Sequence, residues 1–187
     1  MASQWILTMT ADVSAQATTG FFNAYSNSAP VSRLWQESTG GTTTNKGNAD
    51  SYVPKLSYSR GTSTDRDSFQ LVVNVAGLTN TQTVSAVILY VTFGRQQRSN
   101  AGNSVASPFT NANGSPIVIL NQIFTPTSPT TQFSMDSITT QLSSAVTSNP
   151  TLRFEYSVVA SVTVADGSSS SVYEFGYDPE MDVDVRN

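Results

Sequence analysis

The sequence predicts an all-β fold: a two-sheet antiparallel sandwich or jelly-roll with at most one or two short helices. Apolar and polar residues alternate with a period of two along much of the chain, which is typical of strands with one buried face. Turn-forming residues separate these runs. Only 12 % of the residues are charged, so Ser, Thr, Asn and Gln supply most of the polar positions. About eight strands joined by wide loops fit a sandwich better than a βαβ fold, which requires more helices.

The predicted strands follow one another from the first residues to the last. They cover 5–11, 69–75, 84–93, 117–124, 152–164, 171–175 and 180–185. The run at 84–93 is almost continuously apolar, which predicts a central strand covered on both sides. The run at 152–164 is long enough for a strand with a bend, and Asp166-Gly167-Ser168 after it predicts a hairpin. One core between the two sheets is expected to contain Phe69, Leu71, Val73, Val87, Leu89 and Val158.

Two further segments have helical features, and one has the composition of a loop. Apolar residues recur at helical intervals over 134–148, and Asn149-Pro150 would end that helix. The segment 15–25 fits a helix or a loop equally well. The Thr, Gly and Asn residues of 38–48 predict a mobile loop inside the domain. Since no linker divides the chain, we expect a single β-sandwich domain over 1–187.

The composition argues against most catalytic chemistry. The chain has no cysteine and no histidine, which removes disulfides, thiolate metal sites and the commonest general base. A glycosidase needs two carboxyl groups; Glu37, Glu155 or Glu174 could supply one, and nothing marks its partner. We therefore expect a protein that is not an enzyme, with no catalytic residues and no cofactor.

Charge and hydropathy limit the partners. The net charge is −4 and the nine Lys and Arg residues form no basic stripe, so we expect no nucleic-acid binding. No apolar run is long enough to predict a membrane span, and the first residues lack the features of a secretory signal. These observations predict a cytoplasmic protein. They leave export by a signal-free route, and incorporation into a virion, open.

The acidic C-terminal run is the sharpest local feature. In a strand, Glu180, Asp182 and Asp184 point to one face while Met181 and Val183 point to the other. Three carboxylates on one face are candidates for sharing a hard cation. The simpler interpretation, which we favour, is a solvated face whose charges discourage pairing between edges. We therefore expect no metal site here.

Aromatic and basic residues near polar loops are the candidates for a ligand or contact surface. Trp35, Tyr52 and Tyr58, with Tyr90, could stack on sugar rings while Asn and Gln bind hydroxyls, or they could fill the core. Arg95 and Arg98 follow the most apolar strand. They either cap the sheet in solvent or meet a carboxylate of a neighbouring subunit.

The last strands carry a family resemblance. The run Val172-Tyr173-Glu174-Phe175-Gly176-Tyr177-Asp178-Pro179, followed by Met181-Asp182-Val183, resembles the C-terminal end of the PixA/AidA inclusion-body protein family. The apolar run 86–90 and the opening run 5–12 are similar to its central and first strands. Tyr177 stands where that family usually has Trp. The resemblance implies a bacterial, often cytoplasmic protein that associates with itself, and it implies no catalytic residues.

Three functions remain open from the sequence. The first is a non-enzymatic, self-associating bacterial structural or inclusion-body-type protein. It would form a homo-oligomer or higher assembly, because few charges leave little repulsion between copies. The second is a lectin-like module that binds carbohydrate through exposed aromatic rings. The third is a phage or viral structural subunit, which has the same composition.

Overall fold

A computed structural model describes residues 1–15, 31–48, 52–59, 66–97, 119–139, 151–177 and 180–186. The described residues form β-strands and no helix. The strands are, in chain order, β1 (Gln4–Asp12), β2 (Val31–Thr39), β3 (Thr42–Asn48), β4 (Lys55–Ser59), β5 (Ser68–Ala76), β6 (Gln82–Gln97), β7 (Ile119–Phe124), β8 (Gln132–Ser134), β9 (Ile138–Thr139), β10 (Thr151–Asp166), β11 (Ser169–Tyr177) and β12 (Glu180–Arg186).

The strands form two six-stranded sheets. Sheet A has the order β3-β2-β1-β5-β8, with β9 also paired to β5. Sheet B has the order β4-β12-β10-β6-β7, with β11 also paired to β10. Antiparallel pairing dominates, whereas β1 with β5 and β12 with β4 are parallel. One contiguous cluster of buried residues draws on both sheets, so the predicted all-β sandwich architecture is confirmed.

The core follows from the alternation in the sequence. Along β1 and β5 every second residue is buried, which places one face of each strand against the core. All six residues that were expected to share the core are fully buried, namely Phe69, Leu71, Val73, Val87, Leu89 and Val158.

The outer face of β6 differs from expectation. Its apolar run predicted a strand covered on both sides, but only Val87, Leu89 and Val91 on the inner face are fully buried. Ile88 and Tyr90 point to the outer face and are half-buried. The prediction of cover on both sides is therefore wrong for the described residues, and sheet B keeps apolar side chains on its outer face.

The predicted loop at 38–48 is instead a β-hairpin. Thr39 and Thr42 close a two-residue turn between β2 and β3. Gly40 and Gly41 have φ angles of 58° and 82°, as a type I′ turn requires at both central positions. The Thr and Asn residues predicted a loop, but Thr is also favoured in strands, and the turn brings this segment alongside β2.

The helix predicted over 134–148 is wrong where the structure describes it. Ser134 ends β8, and Ile138 and Thr139 form β9, both paired to β5. Between them the backbone N–H of Met135 donates to the carbonyl of Leu71 at 2.9 Å. Pairing with β5 therefore determines the conformation of this segment, whose Ser and Thr content disfavours a helix. Residues 140–148, and all but the first residue of 15–25, lie outside the described residues.

The long strand β10 confirms the expected bend and hairpin. Its register with β6 shifts between Glu155 and Tyr156 and again between Thr163 and Val164. Such shifts bend a strand and increase its twist. After Asp166 a two-residue turn leads directly into β11.

Candidate functional site

The aromatic candidates for sugar stacking are largely in the core. Trp35 is fully buried and Tyr58 is 6 % exposed, because both occupy inward positions of their strands. The Trp35 ring packs against Phe69 with centroids 6.0 Å apart. Neither Trp35 nor Tyr58 presents an open ring face, so the expectation that they form a ligand surface is corrected.

Tyr52 and Tyr90 are only partly accessible. Tyr52 is half-buried and stacks on Trp5, with ring centroids 6.1 Å apart and planes 25° apart. Tyr90 is half-buried on the outer face of sheet B. Tyr58, in turn, contacts Arg66, whose guanidinium lies 4.4 Å from the centroid of the Tyr58 ring. The rings of Tyr52 and Tyr58 therefore pack against residues of their own chain.

Of the two arginine candidates, Arg95 lies near the end of β6. It stands opposite Glu155 of β10 in the sheet register. Arg98 lies outside the described residues.

The acidic C-terminal strand has the predicted alternation, and the sheet adds cations that the local sequence does not show. Met181 and Val183 are fully buried, while Asp182 and Asp184 are half-buried on the other face. In the register, Asp182 stands between Arg153 of β10 and Lys55 of β4. Opposite charges on neighbouring strands stabilise a sheet face.

The third acidic residue of the run, Glu180, stands opposite Glu155 in the sheet register, and Glu155 stands opposite Arg95. Within the described residues, no three carboxylate, His or Cys side chains lie close enough to hold a metal ion.

A polar cluster on the inner face of sheet A was not expected from the sequence. Lys46 Nζ lies 2.8 Å from Glu37 Oε2, and the Ser3 hydroxyl donates to Glu37 Oε1 at 2.8 Å. Because the Ser3 proton is engaged there, the Thr39 hydroxyl donates to Ser3 Oγ at 2.6 Å. The hydrogen bond from Lys46 is the main reason that the pKa of Glu37 is lowered, and the same contact raises the pKa of Lys46.

A buried carboxylate continues this cluster toward sheet B. Asp67 is 4 % exposed, and its oxygens accept from the backbone N–H of Ser3 at 2.6 Å and of Ser57 at 2.7 Å. The indole N–H of Trp5 donates to it at 3.3 Å. Ser57 belongs to β4 of sheet B, whereas Ser3 and Trp5 lead into β1 of sheet A. Asp67 therefore joins the two sheets at one end of the core.

This polar cluster has a structural role, because its groups do not have the properties that catalysis requires. A serine nucleophile needs a base that accepts its proton, but the Ser3 proton goes to a carboxylate whose pKa is lowered. A glycosidase acid needs a raised pKa, the opposite of what Glu37 has. The sequence signal was present in the inward register Trp35, Glu37, Thr39, but it required β2 to be recognised as a strand.

The outer face of sheet A is a network of neutral side chains, which we call the amide face. Gln4 donates to Gln70 at 2.9 Å, and Gln70 donates onward to Ser134 at 2.6 Å. Similar cross-strand bonds join Gln36 to Asn45 at 2.7 Å and Gln132 to Asn74 at 2.8 Å. These side chains bond to one another, so their part of the face is polar and uncharged, whereas Ile6, Leu34 and Val72 on the same side of the sheet are apolar.

Part of the outer face of sheet B has a different character, and we call this part the apolar face. It consists of Ile88, Tyr90, Ile123 and Val159, which are neighbours in the register of β7, β6 and β10. Val172 of β11 lies on the same side of the sheet but stands opposite Thr163, apart from the apolar face. Ile123 is 65 % exposed and Val172 is 63 % exposed. Outer faces of antiparallel sheets usually carry polar residues.

A shallow pocket lies between the β5–β6 connection and the segment before β8. Its volume is about 180 Å³, small beside the roughly 300–1,000 Å³ of typical ligand sites. Its lining consists of Leu78, Gln82, Thr83, Val84, Pro129, Thr130 and Thr131. None of these side chains is ionisable, so the pocket offers no acid–base chemistry.

The chain matches no protein-family model, and no curated protein or solved structure is significantly similar to it. Within the described residues, no helix is long and apolar enough to cross a membrane.

Proposed function

We propose that the protein is a non-enzymatic, self-associating structural or inclusion-body-type protein of a bacterium. The observation that carries the proposal is the apolar face of sheet B, where Ile123 is 65 % exposed beside Ile88 of the neighbouring strand. Contiguous exposed apolar residues mark interaction sites in soluble proteins. The resemblance of the C-terminal strands to the PixA/AidA family points to the same role.

The charge distribution supports association between copies. The amide face is uncharged, and Glu37 pairs with Lys46 on the inner face of sheet A. Along β12, Asp182 has cationic neighbours in the register on both sides. With a net charge of −4 on 187 residues, copies of the chain repel one another only weakly.

The direct test is the size of the protein as a function of concentration and pH. Light scattering and electron microscopy should show assemblies that grow with concentration at neutral pH. Lowering the pH toward the sequence pI of about 4.6 reduces the net charge and should increase assembly. A chain that stays monomeric at high concentration under both conditions contradicts the proposal.

Carbohydrate binding is the second candidate, and the amide face is the observation that favours it. Asn and Gln side chains suit the hydroxyl groups of sugars, and this face presents several in adjacent strands. The buried rings of Trp35 and Tyr58 weaken the case. Specific signals on a glycan array, from a monomeric protein, would favour it over self-association.

A phage or viral structural subunit would associate in the same manner. Gene neighbours distinguish this alternative, since phage structural operons differ from other bacterial gene clusters.

A further inference from the structure

The edges of the two sheets are protected to different degrees. Edge strands normally carry charges, prolines, bulges or very short lengths that prevent pairing with another chain. In β3, Lys46 is the extra residue of a bulge opposite Trp35 and Gln36. β4 has five residues and begins with the exposed Lys55 directly after Pro54. The remaining edges of sheet A, β8 and β9, have three and two residues.

Sheet B has two further edges. β11 carries Glu174 in its second half, and a charge on an edge opposes pairing between identical strands. β7 has the sequence Ile-Leu-Asn-Gln-Ile-Phe, with no charge, proline or glycine. Among the described strands it pairs only with β6, and its register has no bulge. β7 is thus the described edge without a protective feature, and its composition is that of segments that readily pair with copies of themselves.

β7 is also held firmly in place from its inner side. The side chain of Gln122 accepts a hydrogen bond from the backbone N–H of Asp136 at 2.8 Å. The Phe124 ring meets the Phe133 ring edge-on, with centroids 5.6 Å apart. Both contacts join β7 to the segment around β8 of sheet A. An edge that is already ordered loses little entropy when a partner strand binds.

We propose that β7 pairs antiparallel with β7 of a second copy, so that sheet B continues through a two-fold dimer. The inference rests on the proposed function, self-association, and assigns it to one strand. A two-fold contact requires a patch that is complementary to itself. Two identical uncharged strands meet this requirement, since each would supply backbone donors and acceptors to the edge of the other that pairs with no described strand.

Among the registers that keep the inner and outer faces of the sheet continuous, two overlap the strands most. In one, Asn121 lies on the axis opposite its own copy, and Ile119 faces Ile123 of the second copy. In the other, Gln122 lies on the axis and Asn121 faces Ile123. In both registers Ile123 stays on the outer face at the junction, next to the second copy's β7, where association would cover much of its exposed side chain.

The contact is expected to be weak. Six residues of strand span about 20 Å, and an edge of that length covers less than the roughly 800 Å² per partner of a standard interface. We therefore expect association that depends strongly on concentration and not a permanent dimer.

A pair of matched lysine variants tests the proposal by sedimentation velocity over a wide concentration range. Ile123→Lys places a charge at the proposed contact, and Val172→Lys places the same charge on the same face of sheet B, on β11 and away from β7. Because both side chains are more than three-fifths exposed, neither change should unfold the chain. Thermal melts of both variants check this.

The outcomes separate this inference from the proposed function. Loss of dimer in Ile123→Lys, with association of Val172→Lys like the parent, is the expected result. If the parent associates and Ile123→Lys associates equally, β7 is not the contact, although self-association stands. Equal loss in both variants would place the contact on the open apolar face and overturn pairing through the edge. A parent that never associates overturns both.

Cross-linking gives an independent test, because the chain has no cysteine of its own. Under mild oxidation at high concentration, Asn121→Cys should form a covalent dimer if Asn121 lies on the axis. A mixture of Asn121→Cys and Ile123→Cys should form the mixed dimer if the axis passes through Gln122. Val172→Cys is the control and should remain monomeric. Failure of both β7 pairs, or equal cross-linking of the control, contradicts the proposal.

Discussion

The two sheets of the sandwich differ in the polarity of their outer faces and in the protection of their edge strands. In sheet A the outer amides bond to one another, the edge strand β3 is bulged, and Glu37 is paired with Lys46. In sheet B the outer face is apolar near β7, and β7 has no protective charge, proline or bulge in its described pairing. If copies of the chain associate as proposed, stability and association depend on different parts of one domain. Substitutions should therefore be able to change one without the other.

The largest effects should be equal in the two sheets, because they share one core. Leu71 in sheet A and Leu89 in sheet B are both fully buried. Replacing either by Ala should lower the free energy of unfolding by about 2–5 kcal/mol. Denaturant titrations followed by two probes should show one transition in each variant. Separate transitions for the two sheets, or a loss well below this range, would contradict a common core.

The next effect concerns the junction between the sheets. Asp67→Asn keeps the size of the side chain, but its NH₂ group faces the backbone N–H of either Ser3 or Ser57. Leaving one buried donor unpaired and removing a charged acceptor should cost about 3 kcal/mol in unfolding free energy. The exposed Asp136→Asn is the control and should change stability little. Equal melting of the two variants would show that Asp67 does not join the sheets.

Two glycines with positive φ, one after a strand of each sheet, allow a closely packed turn to be compared with an exposed one. Gly77 follows β5 in sheet A with φ of 76°, and Gly167 lies in the β10–β11 turn of sheet B with φ of 61°. A Cβ at Gly77 would overlap the carboxylate of Asp12 and lie 2.7 Å from the Ser14 nitrogen, whereas a Cβ at Gly167 meets nothing. Ala at Gly167 should cost about 1 kcal/mol for the backbone alone.

Ala at Gly77 should cost about 2 kcal/mol more, because the Asp12–Ser14 turn must also move. Differential scanning calorimetry of the two variants measures the difference directly. Similar melting temperatures would mean that the turn at the end of β1 yields easily and that this end of sheet A is not closely packed.

The smallest effect is the dependence of stability on pH at the inner polar cluster. Since folding lowers the pKa of Glu37, chiefly through Lys46, its contribution is present above the ordinary value of 4.5 and is lost as the pH falls through the lowered pKa. The stability difference between the parent and Glu37→Gln should therefore shrink below that pH. Lys46→Gln should abolish most of the same dependence. A difference that stays constant into strong acid would contradict the pairing.

Much of the fold could be predicted from the sequence because burial of alternate residues is a local pattern. β1, β5, β10 and β12 lie close to their predicted positions for that reason. β2 and β3 were missed because Thr, Gly and Asn suit both loops and hairpins, and only the Gly40-Gly41 pair signals the turn. β8 and β9 were missed because pairing with β5 determines their conformation, whereas the spacing of the apolar residues in the local sequence predicts a helix.

The candidate surfaces could be predicted less well, since they depend on pairing between distant strands. Lys55 stands beside Asp182 only because β4 and β12 are neighbours. The buried positions of Trp35 and Tyr58 likewise follow from strands that the sequence did not reveal. The exposure of Ile123 depends on β7 being an edge, which is a property of the sheet order.

Amide hydrogen exchange at low and high protein concentration tests most directly whether copies meet at β7. Residues 119–124 should become more protected as the concentration rises, because the amides on the edge of β7 that pairs with no described strand would bond to carbonyls of the second copy. Residues 42–48 of β3 should exchange at the same rate at both concentrations. Unchanged exchange in β7 while the protein associates, or added protection in β3 instead, would contradict the assignment of association to the open edge of sheet B.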